Sequence, residues 1–330
     1  MRKLSLVIPV LLLLLPVTCK NEKQPLLPKV TGKPGEVIIV IDQHVWDSEI
    51  GVFLKDLLTQ PFEALPQTEP SYDPVRIAST AFNNLFKSHR NIIIAKISPR
   101  NKKPRILVQR DIWAKPQIII NLIGPNDSTT VEYLKENGEK LINLLNQAEI
   151  SRTVNNYRKN RAKGIDELLQ EKHHVSISLP MGYEVGVDSS DFVWISHELS
   201  DLTQSVLIYH YAYTDTNTFT PEYLVRKRDE FTRKYVPGPV KGSYMKVEPI
   251  YPVIFREYTH NNIYCAEIRG LWRLVNGAHM GGPFINITSL DESRNRIVTV
   301  DAFVYAPSLD KRNYVREMEA ILYTFKIMAE

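Results

Sequence analysis

The stretch Gly35-Glu-Val-Ile-Ile-Val-Ile-Asp42 holds five β-branched residues in a row, Val37 to Ile41, with no polar interruption. Such a run reads as a buried strand. Asn91-Ile-Ile-Ile-Ala-Lys-Ile97 and Gln117-Ile-Ile-Ile-Asn-Leu-Ile123 repeat the texture, and Arg105-Ile-Leu-Val-Gln109 reads as one more strand. Between them, helical spacing is expected over Asp47–Leu58, with Val52, Leu54, Leu57 and Leu58 as its apolar face. It is also expected over Ala78–Lys87, where Phe82 and Phe86 share a face. Two further helices are expected, Thr130–Ala148 and Ser151–Lys172. Pro61, Pro66, Pro70 and Pro74 exclude helix and central strand alike and leave a long irregular loop. Residues 36–172 thus read as an N-terminal α/β or α+β domain with about four strands.

The second half has a different texture. Val175-Ser-Ile-Ser-Leu179 alternates as a half-exposed strand does. Further strands are expected at Phe192–His197, Ser205–Tyr213 and near 247–258, 262–272, 283–289 and 296–305. Thr220 and Pro221 open a helix that runs to Tyr235, and Leu309–Met328 reads as a last helix. Residues 173–330 are therefore a mostly antiparallel sheet with two helices, and the fold class is α+β with two sandwich domains.

The chain has 330 residues, 43% hydrophobic and 24% charged, with 41 Lys and Arg against 37 Asp and Glu. That mix excludes a disordered tail, a collagen-like rod and a polytopic membrane protein. The small, spread surplus of positive charge argues against a dedicated nucleic-acid binder.

Residues 1–18 read as a signal peptide: Arg2 and Lys3, then an apolar run from Leu4 to Val17 too short to span a membrane comfortably. Cys19 follows at once, as the lipidated first residue of a bacterial lipoprotein would. Pro16-Val17-Thr18 departs from the usual small residue before the cysteine, so a plain signal peptide with an incidental cysteine is the competing reading. Cys265 is the only other cysteine and reads as a small buried hydrophobe. Residues 19–35, rich in Lys, Pro and Gly, read as a tether.

Chemistry-bearing motifs are sparse. Neither HExxH nor CxxC spacing occurs, and there is no G-x-S-x-G elbow or phosphate-cradling Gly loop. No metal, cofactor or catalytic residue is implied. His173-His174 reads as a solvated pair near a helix end. Two constellations are ligand-site candidates. Asn83 and Arg90 lie in the polar string Asn83–Asn91, which reads otherwise as a helix end whose cations complement the dipole. Arg269, Trp272 and His279 stand beside Gly270, Gly277, Gly281 and Gly282, which could frame a shallow pocket or simply form a hairpin at Asn276-Gly277. Tyr209, Tyr211 and Tyr213 share a strand face, either a glycan-binding row or sheet surface covered by the helix Pro221–Tyr235. The basic clusters Arg100–Arg105, Arg158–Lys163 and Arg226–Arg228 read as solvated faces, with attraction to anionic lipid or glycan as the other reading.

Several strings carry a resemblance. Gly35–Asp42, Ala81–Asn91, Arg269-Gly-Leu-Trp272 and Met280-Gly-Gly-Pro-Phe284 together resemble a family of Bacteroidetes lipoproteins, domain of unknown function 4837, across nearly all of the mature chain. The resemblance implies a cell-envelope lipoprotein and brings no catalytic residues. Lys20-Asn21-Glu22-Lys23 lacks the acidic cluster that marks surface export in that phylum, which implies an outer-membrane protein facing the periplasm. The second half, from Ser176-Ile-Ser-Leu-Pro180 to Ile321-Leu-Tyr-Thr-Phe-Lys326, resembles the PsbP-like fold in element order. The expectation is a non-enzymatic binding or assembly protein, held to a membrane by lipid, with an envelope protein or glycan as partner and no nucleic acid. An enzyme acting on envelope glycan or peptide is the alternative.

Overall fold

The computed structural model describes residues 26–328, so Cys19 and the signal segment lie outside the described residues. Strands β1 (Glu36–Val40), β2 (Asp73–Ile77), β3 (Asn91–Ile97), β4 (Arg105–Arg110) and β5 (Ile118–Gly124) form one sheet in the order β2-β1-β3-β5-β4. All neighbours are parallel except β4, which runs antiparallel on β5 at the edge. The uninterrupted apolar runs follow from this: Val37, Ile39, Ile93 and Ile120 face helices on one side, while Ile38, Val40, Ile92 and Ile119 face Phe82, Phe86 and Trp113 on the other.

The short α1 (Gln43–Trp46) leads into α2 (Glu49–Leu58), whose N-cap Ser48 accepts from the Ile50 N–H. The four-proline stretch is a loop only as far as Tyr72. Pro74 lies in β2, an edge strand, where a missing donor is tolerated. Ala78–Lys87 is not one helix. The backbone is extended at Phe82, Asn83 caps, and only α3 (Asn84–Lys87) is helical. The two expected later helices are replaced by α4 (Asp127–Lys159), one helix of 33 residues, because nothing from Ala148 to Ser151 breaks it and Glu149 and Arg152 lock its far half to the sheet.

The chain then turns into α5 (Lys163–Leu168) and a π-helical turn, Leu169–His173, before β6 (Val175–Ser176). Ile165, Leu168 and Leu169 pack in the second core, so the domains divide near residue 160 rather than at 172. His173 is buried against Asp188, with Nε2 at 2.9 Å from Oδ1, and is not solvated. β7 (Glu184–Asp188), β8 (Phe192–Leu199), β9 (Leu202–Ala212), α6 (Pro221–Tyr235), β10 (Tyr244–Val247), β11 (Ile254–His260), β12 (Ile263–Val275), β13 (Gly281–Asp291) and β14 (Arg296–Tyr305) follow. They make an antiparallel sheet in the order β10-β12-β13-β14-β9-β8-β7, with β11 also on β12. α7 (Arg312–Leu322) packs on one face, and β15 (Lys326–Ile327) pairs with β6. α6 covers the other face, where Tyr209 stacks on Phe231 at 4.5 Å between centroids. Tyr209 and Tyr211 are therefore sheet surface under a helix, whereas Tyr213 lies past the end of β9 and packs near Phe219. Cys265 is a buried small residue. Among the described residues no helix is long and apolar enough to cross a membrane.

Arg228 corrects the reading of the cluster Arg226–Arg228 as a solvated face. It is fully buried, as is Asp301 on β14. Its Nε and Nη2 donate to the two Asp301 oxygens at 2.8 and 3.2 Å, and the guanidinium lies 3.9 Å over the Phe284 ring. Asn286 donates to Asp301 as well.

The domains are joined by the proline-rich loop. Glu69, itself buried, accepts from the Lys311 and Arg312 backbone N–H groups at 2.6 and 2.9 Å and so caps α7 from the other domain. Arg312 pairs with Asp73, and Arg316 donates to the Ser71 carbonyl. The expected tether also ends early. Pro28 accepts from the Lys115 N–H, and Thr31 exchanges backbone bonds with Ser88 and Arg90, so residues 28–31 already lie on the first domain.

Asp301→Ala strands a buried guanidinium and should lower unfolding free energy by about 3–5 kcal/mol, whereas replacing both partners by apolar residues should restore most of it. Glu69→Ala frees two helix N–H donors and should lose about 1–3 kcal/mol. Urea unfolding of the variants checks both.

Candidate functional site

A cleft of about 540 Å³ lies between the two domains. Its walls come from four patterns. The proline loop brings Phe62, Glu63 and Ser71. α4 brings Glu139, Asn143, Asn146 and Ile150, spaced to fall on one helix face. Alternate positions of β11 and β12 bring Arg256, Tyr258, Glu267 and Arg269. α7 brings Arg316 and Glu319, and Tyr323 follows at its end.

Charges are paired across this space. Arg269 Nε lies 2.5 Å from Glu267, and its Nη2 lies 2.5 Å from Glu319. Arg256 bonds Glu63 and stands 3.6 Å from Glu267. Tyr258 donates to Glu267 at 2.9 Å. Burial would pull the Arg269 guanidinium down, but Glu319 and Glu267 outweigh it and hold it well above its ordinary pKa. Burial pushes the Tyr258 and Tyr323 hydroxyls up, so both stay protonated donors.

Arg316 is different. Burial lowers its pKa, and among the described residues it has no carboxylate partner. It is held by stacking on Tyr72 at 4.4 Å and Phe62 at 5.3 Å. Tyr72 in turn donates to Asn146 at 2.5 Å. Behind α4 a second charged cluster gathers Glu149, Arg90, Arg152 and Asn91, with both arginines 3.0 Å from Glu149. Burial lowers Arg152 to about 10 despite Glu149.

Of the residues singled out in sequence, only Arg269 lies in the cleft. Trp272 points to the opposite sheet face, where it is buried, stacks edge-on to Phe303 and donates to the Val304 carbonyl at 3.3 Å. His279 is exposed in the β12–β13 hairpin loop. Arg269, Trp272 and His279 therefore do not form one pocket. The glycines do not frame one either. A Cβ on Gly282 would sit 2.0 Å from the Val304 carbonyl, and one on Gly270 would meet Phe284, so both serve close strand packing. Asn83 is an exposed helix cap, and Arg90 belongs to the Glu149 cluster; they do not converge. Among the described residues no group of three His, Cys, Asp or Glu could hold a metal. Arg256, Glu267, Arg316 and Glu319 were not anticipated. The available signal was Glu267 and Arg269 two apart within an otherwise apolar strand, two charges on one buried face.

Comparison with known families divides the chain at the same place as the structure. A model of domain of unknown function DUF8532 matches residues 30–158, and one of DUF4837 matches residues 162–324. The chain carries a DUF4837 domain. That domain is the antiparallel half alone, not nearly all of the mature chain as the resemblance implied. No curated protein matches. Among solved structures, a mutant of the protein Mog1 is similar over 47% of this chain and 91% of its own, at 10% identity and a TM-score of 0.32. The Saccharomyces cerevisiae Ran-binding protein Mog1p is similar over 47% and 90%, at 10% identity and 0.31. Human STARD10 is similar over 49% and 79%, at 10% and 0.22. The cleft lies where the DUF4837 domain meets its neighbour.

Trp272→Ala should lose about 3–5 kcal/mol of stability, as truncation of a buried aromatic does. His279→Ala should stay within about 0.5 kcal/mol. Thermal and urea unfolding separate the two; equal, small effects would return Trp272 to the ligand candidates.

Proposed function

We propose that this protein is a lipid-anchored binding or assembly protein of the bacterial cell envelope, whose interdomain cleft takes a polar envelope ligand such as a peptide or glycan segment. The cleft carries the reading. Glutamates from both domains and three arginines of the second line it, together with tyrosine hydroxyls kept as donors. Such a surface offers paired donors and acceptors to a ligand that must exchange its water for hydrogen bonds. Because Glu267 and Glu319 both bond Arg269, the arrangement favours holding over proton transfer. An envelope hydrolase is the weaker reading for that reason.

Anchoring rests on the sequence: Arg2-Lys3, the apolar run and Cys19. Two acyl chains would hold the chain to a membrane without a spanning helix. The strings that resemble Bacteroidetes lipoproteins support a cell-envelope site, Lys20-Asn21-Glu22-Lys23 without an acidic cluster supports an outer-membrane protein facing the periplasm, and element order supports a PsbP-like second domain. No cofactor or metal is required.

Two measurements test the parts separately. Labelling with a palmitate analogue should mark the wild type and not Cys19→Ala; an unlabelled wild type ends the anchoring claim. Affinity capture from native membranes with the lipidated protein should recover a peptide- or glycan-bearing partner that is lost in Asn143→Trp, a variant that fills the cleft mouth from an exposed position. A partner retained in Asn143→Trp would place binding elsewhere.

A further inference from the structure

Charge in this protein is divided sharply along the chain. Residues 74–126 hold ten Lys and Arg and a single acidic residue, Asp111. The rest of residues 19–330 holds 29 Lys and Arg against 36 Asp and Glu. The fold gathers the basic residues at one place. Arg100, Lys102 and Lys103 sit in the β3–β4 turn, Arg105 and Arg110 at the two ends of β4, and Lys115 just beyond it, all exposed. Of these, only Lys115 faces a carboxylate within 4 Å among the described residues, that of Asp111 at 3.8 Å. Between the charges lie exposed Leu107, Val108 and Ile112.

Among the described residues β4 is an unpaired edge of the first sheet, and β2 at the opposite edge carries the Asp73–Arg312 contact to the second domain. The N-terminal chain arrives at the same edge as the cations: Pro28 bonds Lys115, and Lys29 bridges to it. Pro28 lies nine residues after Cys19, a reach of at most about 32 Å. A lipid on Cys19 is therefore joined to the body beside Lys115, at one end of the basic edge.

We propose that the β4 edge, from Arg100 to Lys115, is a membrane-docking surface that rests on anionic phospholipid headgroups of the leaflet holding the anchor. It rests on the anchoring reading above and adds the orientation of the body on the bilayer. Clustered Lys and Arg are attracted to anionic leaflets within a Debye length, and the apolar side chains between them enter the headgroup region.

The test uses residues 19–330 with Cys19→Ser, so that no lipid contributes. Sedimentation with phosphatidylcholine vesicles should leave it free. With a third phosphatidylglycerol it should bind, and raising salt from about 0.05 M to about 0.5 M should release it. Lys102→Glu/Lys103→Glu/Arg105→Glu should weaken binding at least tenfold, about the loss expected from removing several surface cations. Lys135→Glu/Lys140→Glu/Lys159→Glu, the same charge change on exposed α4 positions, should leave binding near wild type. Circular dichroism confirms that both variants fold. Absence of binding to anionic vesicles, or equal loss in both variants, overturns the proposal. So does tight binding to single-stranded RNA in place of vesicles. Aggregation of the first variant without any vesicle binding would reduce the basic edge to protection against strand pairing. The palmitate labelling above decides anchoring independently, so the two failures are distinguishable.

Discussion

The carboxylate of Glu69 holds the two domains in register. α7 begins at Arg312 with Lys311 before it, and lysine cannot cap a helix. Its first amides would be left without acceptors in a buried place. Glu69 satisfies two of them from more than 240 positions upstream, and its negative charge lies at the positive end of the helix. The loop that presents it is stiffened by Pro61, Pro66 and Pro70, so the carboxylate arrives with little freedom left to lose. Once Glu69 is seated, Arg312 reaches Asp73, Arg316 stacks on Tyr72, and the walls of the cleft are fixed.

Charge inside the protein is handled by pairing across elements distant in sequence. Arg228 with Asp301 sits under α6, and Arg269 with Glu267 and Glu319 sits under α7. The two differ in openness. The first is sealed by Phe284 and Asn286 and has no route to solvent, so its role is to specify how α6 lies on the sheet. The second borders the cleft, where a ligand can join its hydrogen bonds without breaking the pairs.

Much of the architecture was legible because it is local. Val37–Ile41 announces a strand buried on both faces, and Thr220-Pro221 announces the start of α6. The site was not legible, because it is made by pairing. Arg228 in Val-Arg-Lys-Arg-Asp reads as solvated surface, and only the approach of Asp301 shows otherwise. Trp272 beside glycines reads as a pocket, yet the glycines let β13 and β14 come close enough to bury it. α4 read as two helices because its apolar stripe lapses, and a lapse is how a helix pattern looks where the stripe changes partner to the polar pair Glu149 and Arg152.

The order β2-β1-β3-β5-β4 has a consequence for how the parts divide their work. In a five-stranded sheet the two edges lie about 19 Å apart, four strand spacings. β2, on one edge, bonds the second domain and borders the loop that forms the cleft. β4, on the other, carries exposed cations and lies next to the incoming chain. A body resting on β4 therefore presents the cleft away from its support. The antiparallel reversal at β4 makes this possible, since a parallel fifth strand would need a crossover helix packed on the sheet, and that helix would cover the basic edge.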